Sequence, residues 1–162
     1  MATLNNNLSD YDISKVPNGK SMKIGIVVSE WNEEITKGLL NGAQSTLLKH
    51  GVLEKNIIVQ FIPGSFELPL AAQWLLEHTD VDSVICLGSV IRGETAHFDY
   101  VCSGVSQGIK DVSLKYSKPV IFGVLTDDNI EQSRARSGGI HGNKGDEAAV
   151  TVIKMLGLKS KY

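Results

Sequence analysis

MKIGIVV, residues 22–28, is the stretch that decides the fold. It is a nearly unbroken apolar run, short and rich in β-branched side chains, with no polar alternation that would leave one face to water. A strand of this kind is buried on both faces, as a parallel sheet covered by helices requires. Three further segments repeat it: NIIVQFI at 56–62, DSVICLG at 82–88 and PVIFGVL at 119–125.

The stretches between these runs are amphipathic. Ile35, Leu39, Ala43 and Leu47 recur every four residues, and Val101, Val105, Ile109 and Val112 keep helical spacing, as do Ala149, Val152, Ile153 and Leu156. Asn32 is placed to cap the first helix, Glu33 and Glu34 complement its positive end, and Gly51 stands where a glycine would stop it. Alternating strands and helices give an α/β fold, a three-layer α-β-α sandwich around a four-stranded parallel sheet. Residues 1–20, polar and punctuated by Pro17 and Gly19, read as a flexible arm that a partner surface would have to order. Residues 21–162 read as a single domain.

Bulk properties narrow the function. A 162-residue chain buries roughly 70% of its unfolded surface, so neither disulfide nor metal is needed for a core. The 16 basic and 18 acidic residues are dispersed, which gives no nucleic-acid footprint. No apolar run is long enough to span a bilayer, and the N-terminus lacks a signal core, so no membrane partner is expected and the cytoplasm is the expected location. Cys86 and Cys102 sit in apolar segments and read as reduced, buried thiols. G-x-G-x-x-G and P-loop motifs, zinc-spaced Cys/His clusters, a G-x-S-x-G elbow and an acidic pair after the first strand are all missing.

In open α/β sheets ligands bind beyond the carboxyl ends of the strands. The loops there, 29–32, 63–69, 89–97 and 126–129, hold the unusual residues. In PGSFELP, residues 63–69, Ser65 and Phe66 open a helix with Glu67 in its first turn. The bland account is a helix start; the functional one is an aromatic and free amides offered to a planar ligand. In GSVIRGETAHFDY, residues 88–100, the glycine turn aims the amides of a helix start at one point, a ready anion site, with His97 beside it. A lone histidine is more often structural, but this position favours proton transfer. Trp31 is either packing or, with Phe66, half of an aromatic sandwich. Arg134 reads as solvated surface. Arg136, before Gly138 and Gly139, can reach back to an anion with its planar fork.

Five segments together resemble lumazine synthase: SEWN at 29–32, PGSFELP at 63–69, LGSVIRGETAHFDY at 87–100, PVIFGVLT at 119–126 followed by NIEQ, and GNKG at 142–145. The resemblance runs from about residue 22 to the end. It implies a flavodoxin-like sheet and an enzyme that condenses 5-amino-6-(D-ribitylamino)uracil with 3,4-dihydroxy-2-butanone 4-phosphate to 6,7-dimethyl-8-ribityllumazine, the penultimate step of riboflavin biosynthesis. No metal or organic cofactor is implied.

By position, the resemblance puts Trp31 against the pyrimidine ring. Ser65, Phe66 and Glu67 fall at the ribityl chain and ring edge, and Ser89, Val90 and Ile91 on the backbone that bonds the uracil. Glu94 and Thr95 fall at the helix start that receives phosphate. Glu94 departs from the small residue of many relatives, but backbone amides do the binding there. His97 falls on the proton-transfer histidine, Phe122 on an aromatic supplied by the neighbouring subunit, and Arg136 on the phosphate-binding arginine. Glu147 is expected to hold the Arg136 guanidinium, with Lys144 nearby in support. The resemblance further implies pentamers with sites between subunits. Twelve pentamers would close into an icosahedral 60-subunit shell, the free pentamer being the alternative, and whether riboflavin synthase is a partner inside it stays open. Gly104 and Gly108, four apart, offer a face for packing around a fivefold axis, or simply fit the sheet. The 1–20 arm is expected to pair with a neighbour's sheet edge. Two rival readings are a non-catalytic flavin- or nucleotide-binding module of the same fold and a shell protein that has lost activity.

Overall fold

The structure is a computed structural model and describes residues 7–162. Its frame is β1 (Ile24–Ser29), α1 (Glu33–Lys49), β2 (Ile57–Ile62), α2 (Leu68–His78), β3 (Ser83–Ile91), α3 (His97–Tyr116) and β4 (Val120–Asp127). A short α4 (Ile130–Arg136), the strands β5 (Ser137–Gly139) and β6 (Gly142–Asn143), and α5 (Lys144–Lys159) complete the chain. The four long strands form one parallel sheet in the order β2-β1-β3-β4.

Alternation along each strand sends side chains to two cores. Ile24, Ile26 and Val28 of β1 meet Ile35, Leu39, Ala43 and Leu47 of α1 and Ala149, Val152, Ile153 and Leu156 of α5 on one face. Val27, Val84 and Cys86 meet Ala71, Ala72 and Leu76 of α2 and Val105, Ile109 and Val112 of α3 on the other. The three-layer sandwich expected from the apolar runs is the observed architecture. The helix faces expected from the spacing are buried, save that Val101 is only half-buried. Cys86 is buried and Cys102 half-buried, both free, and burial pushes both thiols up in pKa.

Several local expectations need correction. β3 continues through Ser89, Val90 and Ile91, which sequence reading assigned to a loop; they pair with Leu125, Thr126 and Asp127 of β4. Neighbouring backbone extends the ladder although the apolar run has ended. Asn32 occupies the cap position of α1 in the left-handed conformation, φ 59°, and makes no side-chain capping bond. Gly51 does stop that helix, at φ +87°, with its N–H on the Leu48 carbonyl at 2.9 Å.

Gly104 and Gly108 receive the start of α2 rather than lying open: a Cβ on Gly104 would stand 2.7 Å from the Phe66 ring, and one on Gly108 2.7 Å from Pro69. The segment before β1 also differs from expectation. Residues 1–6 lie outside the described residues, but from residue 7 the supposed arm is held by its own chain. The Leu8 N–H donates to the His141 carbonyl at 2.8 Å, and the Gly19 N–H to the His50 carbonyl at 2.8 Å. The Ser9 hydroxyl donates to Asp146 and accepts from the Asn143 N–H at 2.9 Å, while the Tyr11 hydroxyl lies 3.0 Å from His50 Nε2. Its polar composition conceals these bonds because they are mostly to backbone.

Candidate active site

The carboxyl ends of β1, β2 and β3, with the starts of α2 and α3, enclose a cavity of about 380 Å³. Trp31 follows β1 and stands 72% exposed on its rim, and Phe66 is 59% exposed. Aromatic rings of that size left uncovered beside a cavity mark a surface awaiting a flat partner. Phe66 is fixed from behind by Gly104 and lies in a 3₁₀ turn, Ser65–Glu67, that leads into α2.

One internal tie and two unpartnered hydroxyls shape the floor. The Asn32 side-chain amide donates to the Ser89 carbonyl at 2.9 Å. The hydroxyls of Ser65 and Ser89 are buried and have no hydrogen-bond partner among the described residues. Both serines line the cavity.

At the far wall α3 begins without a side-chain cap: Ala96 holds the cap position, and Thr95 Oγ1 accepts from the His97 N–H only at 3.4 Å. The positive end of this 20-residue helix therefore lies beside the cavity without a side-chain cap, although the Asp99 N–H is taken by the Ala96 carbonyl at 3.0 Å. His97, the first residue of that helix, lines the same space. Just before it, Arg92 pairs with Asp99 and Asp128, each at 3.1 Å. Sequence reading did not single out Arg92, because a lone arginine at a strand end has no signature.

Of the residues singled out from sequence, Trp31, Ser65, Phe66, Glu67, Ser89, Val90, Ile91, Thr95 and His97 line this one cavity. Glu94 does not, although Gly93 and Thr95 on either side of it do. Asn32 and Val101 also line it and were read instead as a cap and as helix core, and Phe98, given no role from sequence, lines it too.

Phe122, Lys144 and Glu147 lie elsewhere, around a second depression of about 730 Å³ on β4 and α5. Arg136 borders neither depression; its Nη1 donates to the Gln132 carbonyl at 3.0 Å. Glu147 pairs with Lys144 at 3.0 Å, its neighbour one helical turn back, and among the described residues no bond joins it to Arg136 as expected. Burial opposes charge on Glu147, but the positive charge around it, Lys144 included, holds its carboxyl below the usual value. Arg134, read as free surface, grips Glu34 with two nitrogens at 2.8 and 3.0 Å. Among the described residues no group of three or more His, Cys, Asp or Glu gathers to hold a metal, and no helix is long and apolar enough to cross a membrane.

The family model described as 6,7-dimethyl-8-ribityllumazine synthase matches residues 21–160. The chain belongs to this lumazine synthase family. Among its relatives of that name, the protein of Parabacteroides distasonis is 58% identical over 96% of this chain and 98% of its own length. That of Cytophaga hutchinsonii is 59% identical over the same shares, 96% and 98%. That of Porphyromonas gingivalis is 56% identical over 98% of this chain and 99% of its own. A lumazine synthase scaffold thus carries every element around the cavity, since β1 through α3 lie wholly inside the matched region.

Proposed function

We propose that this chain condenses 5-amino-6-(D-ribitylamino)uracil with 3,4-dihydroxy-2-butanone 4-phosphate, releasing phosphate and water and forming 6,7-dimethyl-8-ribityllumazine. The observation that carries this reading is the convergence on one cavity of two open aromatic rings, an uncapped helix start and an imidazole. The substrates bring a flat heteroaromatic ring, a phosphate and a carbonyl that needs proton traffic.

In this reading the pyrimidine stacks on Trp31. Its edge and ribityl chain meet Ser65, Phe66, Glu67 and the backbone of Ser89, Val90 and Ile91. The phosphate sits on the amides beside Glu94 and Thr95. The 5-amino group attacks the ketone, and the carbinolamine loses water to a Schiff base. Phosphate leaves, the ring closes and a second water departs, with His97 moving protons at each stage. Positioning supplies the larger part of the acceleration: holding two reactants in register is worth roughly 7–11 kcal/mol.

Phe122, Arg136, Lys144 and Glu147 enter from the adjacent subunit of a pentamer. Their distance from the cavity within one chain supports that arrangement. Phe122 lies three residues before Leu125, the partner of Ser89, hence about 10 Å down the sheet. A 60-subunit shell of twelve pentamers is the assembly we favour over a free pentamer, in the cytoplasm, with riboflavin synthase as a partner to be sought inside it.

Mixing the purified protein with both substrates and following lumazine absorbance and fluorescence tests the reaction. Tight ligand binding without turnover would replace it with a non-catalytic binding module. Co-assembling Trp31→Ala chains with Arg136→Ala chains tests the shared site: activity restored in the mixture supports it, and none restored overturns it.

A further inference from the structure

Arg92 is the cation nearest in sequence to the open start of α3, yet its geometry is not that of an anion ligand. Its Nε donates to Asp128 Oδ1 and its Nη2 to Asp99 Oδ1, each at 3.1 Å. Its guanidinium carbon lies 4.1 Å from the centroid of the Phe98 ring, over its face. Its own N–H donates to the Asp127 carbonyl at 2.9 Å. One residue therefore joins the end of β3, the end of β4 with the loop after it, and the first turn of α3. The ring it covers lines the cavity.

The charges point the same way. Two carboxylates around one guanidinium leave the cluster with a net negative charge, so Arg92 adds little attraction for a phosphate. The loop it anchors has little else to hold it. Gly93 has nothing within 4 Å of where a Cβ would be, and the only side-chain bond recorded within residues 93–97 is the 3.4 Å contact of Thr95 with the His97 N–H.

We propose that Arg92 is a positioning residue: by gripping Asp99 and Asp128 and lying on Phe98, it sets the angle at which the start of α3 and His97 present themselves to the cavity. This rests on the reading of that helix start as the phosphate subsite. The planar fork is what the task needs, since a lysine can hold one carboxylate as a point charge but cannot bridge two at fixed angles and cover a ring.

Asp128→Asn separates a brace from a phosphate ligand, because the two predict opposite signs. If Arg92 braces, weakening its anchor raises KM for the butanone phosphate and weakens binding of inorganic phosphate. The expected size is about tenfold, short of the roughly 10²-fold that a 1 Å misplacement costs, with KM for the uracil substrate unchanged. If Arg92 binds phosphate directly, freeing it from Asp128 tightens both, which overturns the proposal, as does no change in either.

Arg92→Lys is expected to fall between the wild type and Arg92→Ala. Hydrogen exchange across residues 92–101, read in the same assembled variants, should speed up in Asp128→Asn and Arg92→Ala. That readout does not depend on catalysis. A wild type that neither binds phosphate nor turns over overturns the functional reading alone, and exchange unchanged by the variants then overturns the brace.

Discussion

The side-chain amide of Asn32 donates to the carbonyl of Ser89 at 2.9 Å, tying the turn after β1 to the end of β3 from a left-handed backbone at φ 59°. Two separable costs follow from substituting it. Asn32→Gly keeps the backbone at ease and loses only the bond, about 1 kcal/mol. Asn32→Ala loses the bond and adds left-handed strain, about 1–2 kcal/mol more. Urea unfolding should rank wild type above glycine above alanine. Turnover should fall in both, since Trp31 sits on the same turn.

His97 lines the cavity, and among the described residues its side chain makes no hydrogen bond. In the proposed reaction a single acid–base group contributes about 10²–10⁴-fold, and the remainder comes from holding the reactants. His97→Ala, checked for intact assembly, should therefore retain measurable lumazine formation. Complete loss in a folded, assembled variant would contradict this ranking of effects.

Gly104 is the surface against which Phe66 rests, with room for no side chain: an added Cβ would be 2.7 Å from the ring. Gly104→Ala should cost about 1–3 kcal/mol through overpacking. Because the ring must swing into the cavity or out of it, KM for the uracil substrate should rise more than KM for the phosphate substrate. Steady-state kinetics with each substrate varied in turn checks this.

His50 is buried at the end of α1 against Tyr11, and burial first, then the Lys49 charge, pushes its pKa below the ordinary histidine value. Protonation therefore favours the unfolded chain. As pH falls through the unfolded value, near 6.5, the unfolded state takes up a proton that the native state refuses, and stability declines until the lower native pKa is reached. Melting temperature measured from pH 7.5 to 5 should fall more steeply for wild type than for His50→Phe. Parallel curves would show that His50 carries no such linkage.

The sheet was legible because its strands are buried on both faces and so carry an unbroken apolar signal. The end of β3 was not, since Gly88 and Ser89 end the run while backbone pairing continues to Ile91. α4 and the β5-β6 hairpin escaped notice because IEQSRAR is short and polar and the hairpin strands are only three and two residues long, with glycine at three of those five positions. In the cavity, Trp31, Phe66, Thr95 and His97 could be found because chemistry at strand ends stands out against packing. Arg92 could not, because its role lies in bonds to Asp99 and Asp128, one 36 residues away. Asn32 was recognised as the residue before a helix, but a capping residue and a cross-strand tie share one sequence signature.

The unbonded hydroxyls of Ser65 and Ser89 bear on inhibitor chemistry. Both oxygens are sealed from solvent even without a ligand, so a hydrocarbon fragment filling the cavity forfeits no hydration there. Acceptors aimed at them should gain little, and compounds should succeed in proportion to the flat ring area they lay on Trp31 and Phe66, whose exposed faces still have water to shed. A medicinal chemist would leave the sealed serines alone and build outward on the tryptophan side.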